Sequence, residues 1–247
     1  IPAWESRRLS ERIRSTGIRL HLSDEVASVR RDGRVIREVH TKGGSVLESD
    51  LFVVSIGVQP NIGFLRPSAI QTDTGVLVDE FQRTSIEHVF AAGDCAEIQL
   101  SGSETRIEKV WYTAKAQGAV AGANLAGQDR RYDAGLWFNS AKFFDLEYQV
   151  YGEIPVIDQP GDVHHLSEAV PGGAMLRVVE REGRVIGMSG FGVRLRHRAV
   201  EAAIVAGEGW TSLKTRLAAL LFDAEFTRHH FEFRQVEASS TPEQGSE

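Results

Sequence analysis

Apolar positions change period several times along the chain, and each change predicts a different element. From Pro2 to Thr16, Trp4, Leu9 and Ile13 stand among Arg and Glu as a thin helical stripe, which Gly17 ends. Arg19 to Leu22, Val26 to Arg31, Val35 to Thr41 and Ser45 to Leu47 alternate polar and apolar residues around the turn pairs Asp32-Gly33 and Gly43-Gly44. That period of two predicts a small antiparallel meander. Asp50 to Gly57 is instead continuously apolar and β-branched, the pattern of a strand covered on both faces, and Pro60-Asn61 ends it in a tight loop. Val76 to Asp79 and Val89 to Asp94 read as short strands. Val110, Ala114, Gly118, Ala121 and Leu125 recur at helical spacing and predict a helix whose inner face is made of small residues. Beyond a polar connector at Asp129 to Gly135, strands are predicted at Glu147–Tyr151, Ala174–Glu182 and Arg184–Phe191, the last two joined at Gly183. Helices are predicted at Arg198–Ala206 and Thr211–Phe222, the second with Leu213, Leu217, Leu220 and Leu221 on one side. Glu237 to Glu247 is polar and is expected to be disordered. No internal repeat is visible.

Composition narrows the function classes. The 247 residues are 42% hydrophobic and 25% charged, with a net charge of −6. The basic stretches are short and interleaved with acids or apolar residues, so nucleic acid is not expected as a partner. No apolar run is long enough to span a bilayer and no secretory leader is visible, which predicts a cytoplasmic protein without a membrane partner. Cys95 is the single cysteine, which excludes an internal disulfide and a redox-active cysteine pair within these residues. A start at Ile1, without Met and directly before a helix, reads as a cut chain.

Chemistry concentrates in two strings. One is Asp50-Leu-Phe-Val-Val-Ser-Ile-Gly57-Val-Gln-Pro60-Asn61; the other is Val78-Asp79, Arg83-Thr84-Ser85 and then Val89-Phe-Ala-Ala-Gly93-Asp94-Cys-Ala-Glu97. An acid at a strand end can accept hydrogen bonds from a sugar or polyol, and a preceding glycine lets the backbone come close. Alone, Ala-Gly-Asp reads first as a plain turn or a helix cap. Together and in this order, the strings resemble the FAD-dependent pyridine nucleotide-disulfide oxidoreductase superfamily: the first its crossover from the NAD(P)H domain, with Gly57 and Pro60, the second its later FAD fingerprint.

The resemblance implies roles. Asp94 would accept from the ribityl chain of FAD, with Gly93 allowing close approach. The helix opening at Val110, Trp111 and Tyr112 would aim backbone N–H groups at the flavin's pyrimidine edge, where its positive end suits a reduced, anionic ring. Trp111 and Tyr112 side chains could equally anchor that helix in the core. Gly135 to Gly152 resembles the opening of the carboxyl-terminal domain of rubredoxin-, ferredoxin- and nitrite-reductase-like members, which would bring Trp137 or Phe138 near the flavin, a core role being the alternative. Cys95 reads as packed and inert. His229-His230-Phe231 replaces the His-Pro of the thiol-disulfide branch, and His164-His165 lacks partners at zinc-ligand spacing, so no metal is expected.

No Gly-x-Gly-x-x-Gly occurs, although a complete member carries one for FAD and one for NAD(P)H. The implied fold is α/β: residues 1–57 a remnant of the NAD(P)H-binding domain, 58–128 the second half of the FAD domain, 135–236 a carboxyl-terminal α+β domain, and 237–247 a tail. The implied parent is an NAD(P)H:acceptor oxidoreductase lacking its amino-terminal half here, with FAD as cofactor and NADH or NADPH as substrate. Its partner would be an electron-carrier protein or reductase module, with a homodimer left open and no catalytic side chain assigned. Two rivals are a non-enzymatic binding or assembly module without tight flavin, and an unrelated α/β binding protein.

Overall fold

A computed structural model describes residues 3–99, 104–169, 173–222 and 230–237. The chain forms two units, Ser6–Gln59 and Ile1–Glu5 together with Pro60–Glu247. Helix α1 (Ala3–Ser15) ends where Gly17 turns at φ +87. In the Ser6–Gln59 unit, alternation builds the expected antiparallel meander, β1 (Val26–Asp32), β2 (Val35–Thr41) and β3 (Val46–Glu48), in that order.

Two expectations fail in this unit. Arg19 to Leu22 forms no strand. Asp50 to Gly57 is irregular, and its apolar side chains other than the half-buried Phe52 face solvent, Leu51 at 75% and Ile56 at 91% exposure. Among the described residues no strand lies beside this run to accept its backbone bonds or cover its faces, and a strand buried on both sides cannot form without them.

The other unit opens with β4 (Val76–Val78), β5 (Ala96–Gln99) and β6 (Thr105–Ile107), the first pair parallel and the second antiparallel. Val89 to Asp94, expected as a strand, contributes only the bridge Arg83–Phe90. Gly93 at φ +80 and the bond from Ala96 N to Gly93 O (2.9 Å) fold it into a turn that leads into β5. Asp94 therefore precedes a strand instead of ending one.

Helix α2 (Trp111–Leu125) lies where the periodicity puts it, but a different face is covered. Gln117, Val120 and Asn124 are its buried residues, whereas Leu125 is exposed and a Cβ at Gly118 or Gly122 would meet nothing within 4 Å. Asn124 explains part of the rotation: it donates to Phe81 O and Arg130 O and accepts from Arg130 N, fastening both flanking segments to the helix.

A six-stranded antiparallel sheet follows, built from β7 (Phe138–Phe143), β8 (Leu146–Gly152), β9 (Asp162–Glu168), β10 (Met175–Arg181), β11 (Arg184–Phe191) and β12 (Phe233–Glu237). Its order is β12-β9-β10-β11-β8-β7. The hairpin at Gly183 matches the pattern reading, while β7, β9 and β12 carry too many polar residues to show one. Helices α3 (His197–Val205), α4 (Trp210–Thr215) and α5 (Leu217–Leu220) enclose the main core with Leu176, Val178, Met188, Val200 and Leu213. The single helix expected over Thr211–Phe222 is broken at Arg216, whose φ −119 and ψ 20 leave the helical region. The predicted polar tail lies outside the described residues beyond Glu237. No described helix is long and apolar enough to cross a membrane.

Candidate functional site

The Gly93–Asp94 turn and the start of α2 come together in the Pro60–Glu247 unit. A Cβ on Gly93 would lie 3.5 Å from Ala114 Cβ, so the turn rests on the first turns of the helix. Val110 is the N-cap and has no side-chain acceptor to satisfy the first N–H groups, and no side chain caps them. Asp94 is exposed, and no described residue donates to its carboxylate. An exposed acceptor carboxylate thus follows a turn that packs on the first turn of a 15-residue helix whose leading amides no side chain caps. That pairing suits a ligand carrying hydroxyls at one point and acceptor atoms at another, the chemistry of a flavin with its ribityl chain.

Behind the turn runs a polar network that pattern reading missed. Gly93 N donates to Gln117 Oε1 at 2.7 Å, and Gln117 Nε2 donates to Glu108 Oε2 at 3.2 Å. Tyr132 donates its hydroxyl to the same Glu108 oxygen at 2.6 Å, and Arg106 Nη2 lies 3.0 Å from Glu108 Oε1. Burial, and then the bond to the Glu108 carboxylate, push the Tyr132 hydroxyl above its ordinary range. Gln117 and Glu108 are buried and paired at both ends, as buried polar groups must be. The one available signal was a glutamine and an acid among small apolar residues, which an amphipathic reading assigns to the solvent side.

The remaining expected residues divide. Trp111 is 67% exposed and meets Tyr112 edge to face at 5.3 Å, so it does not anchor a core. Tyr112, 37% exposed, does not anchor one either, but it links α2 to the sheet: its ring lies 4.2 Å from Phe138, and its hydroxyl is 2.8 Å from Ser140 Oγ. Phe138 stacks on Tyr151 at 5.1 Å and touches His197 at 4.4 Å, which joins α2 to the six-stranded sheet and its helices. A crevice of about 210 Å³ opens beside this stack, lined in part by Arg106, Glu108, Tyr112, Tyr132 and Trp137. Pro60 is half-buried at the start of this unit, and Gly57 belongs to the Ser6–Gln59 unit, at φ +89 with nothing within 4 Å of a Cβ. Cys95 is half-buried, with Sγ 3.6 Å from Ala92 O.

His164 does find acidic neighbours, Asp158 and Asp162, brought close by the loop before β9 and invisible in the spacing. Asp162 is already committed, accepting from Arg181 Nε and Gln159 N at 2.7 Å each, and Asp158 Oδ1 lies 3.0 Å from His164 Nε2. Burial alone would raise the Asp162 carboxyl; the bonds from Arg181 and the Gln159 amide outweigh it and hold the group below its ordinary range. The three residues lock a loop onto the sheet.

The pyridine nucleotide-disulphide oxidoreductase family profile matches residues 5–118. The chain is 32% identical over 152 residues to apoptosis-inducing factor 3 of Mus musculus, covering 60% of this chain and 25% of that one. It is 33% identical over 191 residues to a ferredoxin–NAD(P)(+) reductase of Sphingomonas sp, covering 74% and 44%. A ferredoxin reductase structure from Rhodopseudomonas palustris superposes with a TM-score of 0.67 at 25% identity, covering 78% of this chain and 46% of that one. The chain therefore spans less than half the length of each.

Proposed function

The chain belongs to the FAD-dependent pyridine nucleotide-disulphide oxidoreductase superfamily, and on that premise we propose that it supplies the carboxyl-terminal portion of an NAD(P)H:acceptor oxidoreductase. Residues 1–57 would close the NAD(P)H domain, 58–128 complete the FAD domain, and 135–236 form the domain that follows. When bound, FAD would supply the redox chemistry: hydride acceptance from NADH or NADPH, and release of the two electrons one at a time to two one-electron carriers or together to a two-electron acceptor. This chain's residues do the holding. Asp94 accepts from the ribityl hydroxyls, and the backbone N–H groups of Trp111 and Tyr112 face the pyrimidine edge, where uncapped donors stabilise negative charge. Trp111 screens the exposed flank. The acceptor class we favour is a small iron or iron-sulfur carrier protein, in keeping with the names of the ferredoxin reductases the chain resembles; a fused reductase module or oxygen comes after it.

The observation that carries this reading is the exposed Asp94 carboxylate on the turn that packs against the uncapped first turn of α2. FAD titrated into the purified chain, followed by flavin fluorescence, tests it. Asp94→Ala is expected to weaken binding about tenfold or more, as loss of a charged acceptor does, with an unchanged circular dichroism spectrum. Equal affinity in wild type and variant, or no FAD bound by wild type, sinks the reading for this chain. A second reading, a module without tight flavin, is favoured by one observation: the solvent-facing apolar run Leu51 to Val58. NAD(P)H-dependent reduction of a ferredoxin by this chain co-expressed with an amino-terminal polypeptide carrying both glycine-rich dinucleotide loops separates the two.

A further inference from the structure

Building on that reading, we infer that Gln117 is a positioning residue for the cofactor: it clamps the Gly93–Asp94 turn, and Glu108 with Tyr132 hold its amide in the single orientation that does so. Gln117 is fully buried and cannot reach a ligand. Its influence passes through the backbone. The turn is tied at one end by Ala96 N to Gly93 O at 2.9 Å and at the other by Gly93 N to Gln117 Oε1 at 2.7 Å. Removing the second tie frees the side of the turn from which the Asp94 carboxylate is presented. Because Gln117 occupies the Gly93 N–H, that donor is unavailable to any ligand, and Asp94 is the polar group the turn offers.

The orientation of the amide follows from donor and acceptor matching. Rotating it by half a turn would set NH₂ against the Gly93 N–H and C=O against the Glu108 carboxylate, donor to donor and acceptor to acceptor. Glu108 in turn is fixed by the Tyr132 hydroxyl and by Arg106, the cation facing it. A helix glue would need none of this directionality; Val120 and Asn124 on the same face already attach α2.

The test uses the 247-residue chain with Gln117→Leu, Gln117→Glu and the exchange Gln117→Glu with Glu108→Gln. Amide exchange of Gly93, read by NMR without flavin, is expected to quicken about tenfold to a hundredfold in Gln117→Leu, the loss of one buried hydrogen bond, while the α2 amides keep their protection. FAD affinity should fall by a similar factor. In Gln117→Glu the protonated carboxyl copies the amide, its C=O accepting from Gly93 and its O–H donating to Glu108. Its affinity for FAD should therefore be near wild type at acid pH and fall as pH rises, when two carboxylates face one another with Arg106 as the cation beside Glu108. The exchange variant restores complementarity, the new amide donating to the new carboxylate, and should flatten the pH profile.

Unchanged Gly93 exchange in Gln117→Leu overturns the clamp. So does a Gln117→Glu profile that parallels wild type in a chain that binds FAD. A wild-type chain that binds no FAD overturns the functional reading instead, and Gly93 exchange still decides the clamp.

Discussion

At the scale of single residues, two glycines separate backbone strain from steric clash. Gly93 sits at φ +80, but an added Cβ would meet only Ala114 Cβ at 3.5 Å, an ordinary contact. Gly93→Ala should therefore cost about 1–2 kcal/mol, the penalty of the left-handed region alone, and should weaken FAD binding by displacing Asp94. A Cβ on Gly75 would lie 2.8 Å from the Cys95 backbone oxygen and 3.0 Å from Glu97 Cβ, and Gly75 N donates to Glu97 Oε2 at 2.7 Å. Nothing there can yield cheaply. Gly75→Ala should lower the thermal midpoint by the larger amount, about 1–3 kcal/mol of overpacking, and separate β4 from β5. Thermal denaturation and FAD titration of both variants check the pair; a larger thermal loss at Gly93 would contradict it. Gly93 and Asp94 were legible because glycine before an acid carries a backbone meaning. Gln117 and Glu108 were not, since in an amphipathic reading a polar side chain on a helix belongs to the solvent side until its partners are known.

At the scale of elements, β9 shows why sequence alternation fails in this sheet. Its string Asp-Val-His-His-Leu-Ser-Glu looks polar, yet Asp162, His164, His165 and Ser167 are all buried. Each histidine and Asp162 is hidden by finding a partner, and so is Arg177 of β10, which donates to Glu5 Oε2 at 2.8 Å while Ser189 of β11 donates to Glu5 Oε1 at 2.9 Å. Hydropathy sees residue types, whereas burial of these charged and histidine side chains follows the partners they find. His165 makes this measurable. It stacks on Trp210 of α4 at 4.5 Å, its Nε2 is 3.1 Å from Glu180 Oε2, and Trp210 N donates to Glu180 Oε1 at 3.0 Å. Burial lowers the His165 pKa below its ordinary value of 6.5, and the Glu180 carboxylate offsets only part of that. The unfolded chain therefore takes up the proton first. Stability should be free of this penalty above pH 6.5, decline as pH falls through 6.5, and bear it in full below the folded-state pKa. Urea unfolding at a series of pH values between 7.5 and 5 should show the midpoint falling, with a smaller slope in His165→Gln. An equal slope in the variant would remove His165 as the cause. The carboxyl of Asp162, held below 3.8, adds a separate loss at more acid pH.

At the scale of the whole molecule, the stretch from Leu51 to Val58 is where sequence and structure part most sharply, and the reason is context rather than propensity. Leu51, Val53, Val54, Ile56 and Val58 are between 61% and 91% exposed. Their composition is that of a strand with neighbours on both edges, and the described residues provide none. The chain covers 44% of its Sphingomonas relative and 46% of the Rhodopseudomonas structure, so these relatives carry further chain that could provide such neighbours. Apolar side chains left in water should bind a hydrophobic dye and promote self-association. Replacing Val53, Val54 and Ile56 by Thr keeps β-branching while removing apolar surface. The triple variant is expected to lose most of the dye signal and to stay monomeric at higher concentration. Its circular dichroism should not change, because no buried contact is lost. Co-expression with an amino-terminal polypeptide carrying both glycine-rich dinucleotide loops should suppress dye binding by wild type and raise FAD affinity, and the triple variant should resist that rescue, since Thr in a doubly covered strand would bury unpaired hydroxyls. Dye binding that persists in the triple variant would place the exposed apolar surface elsewhere, and rescue of both chains alike would show that this run is not the strand on which assembly turns.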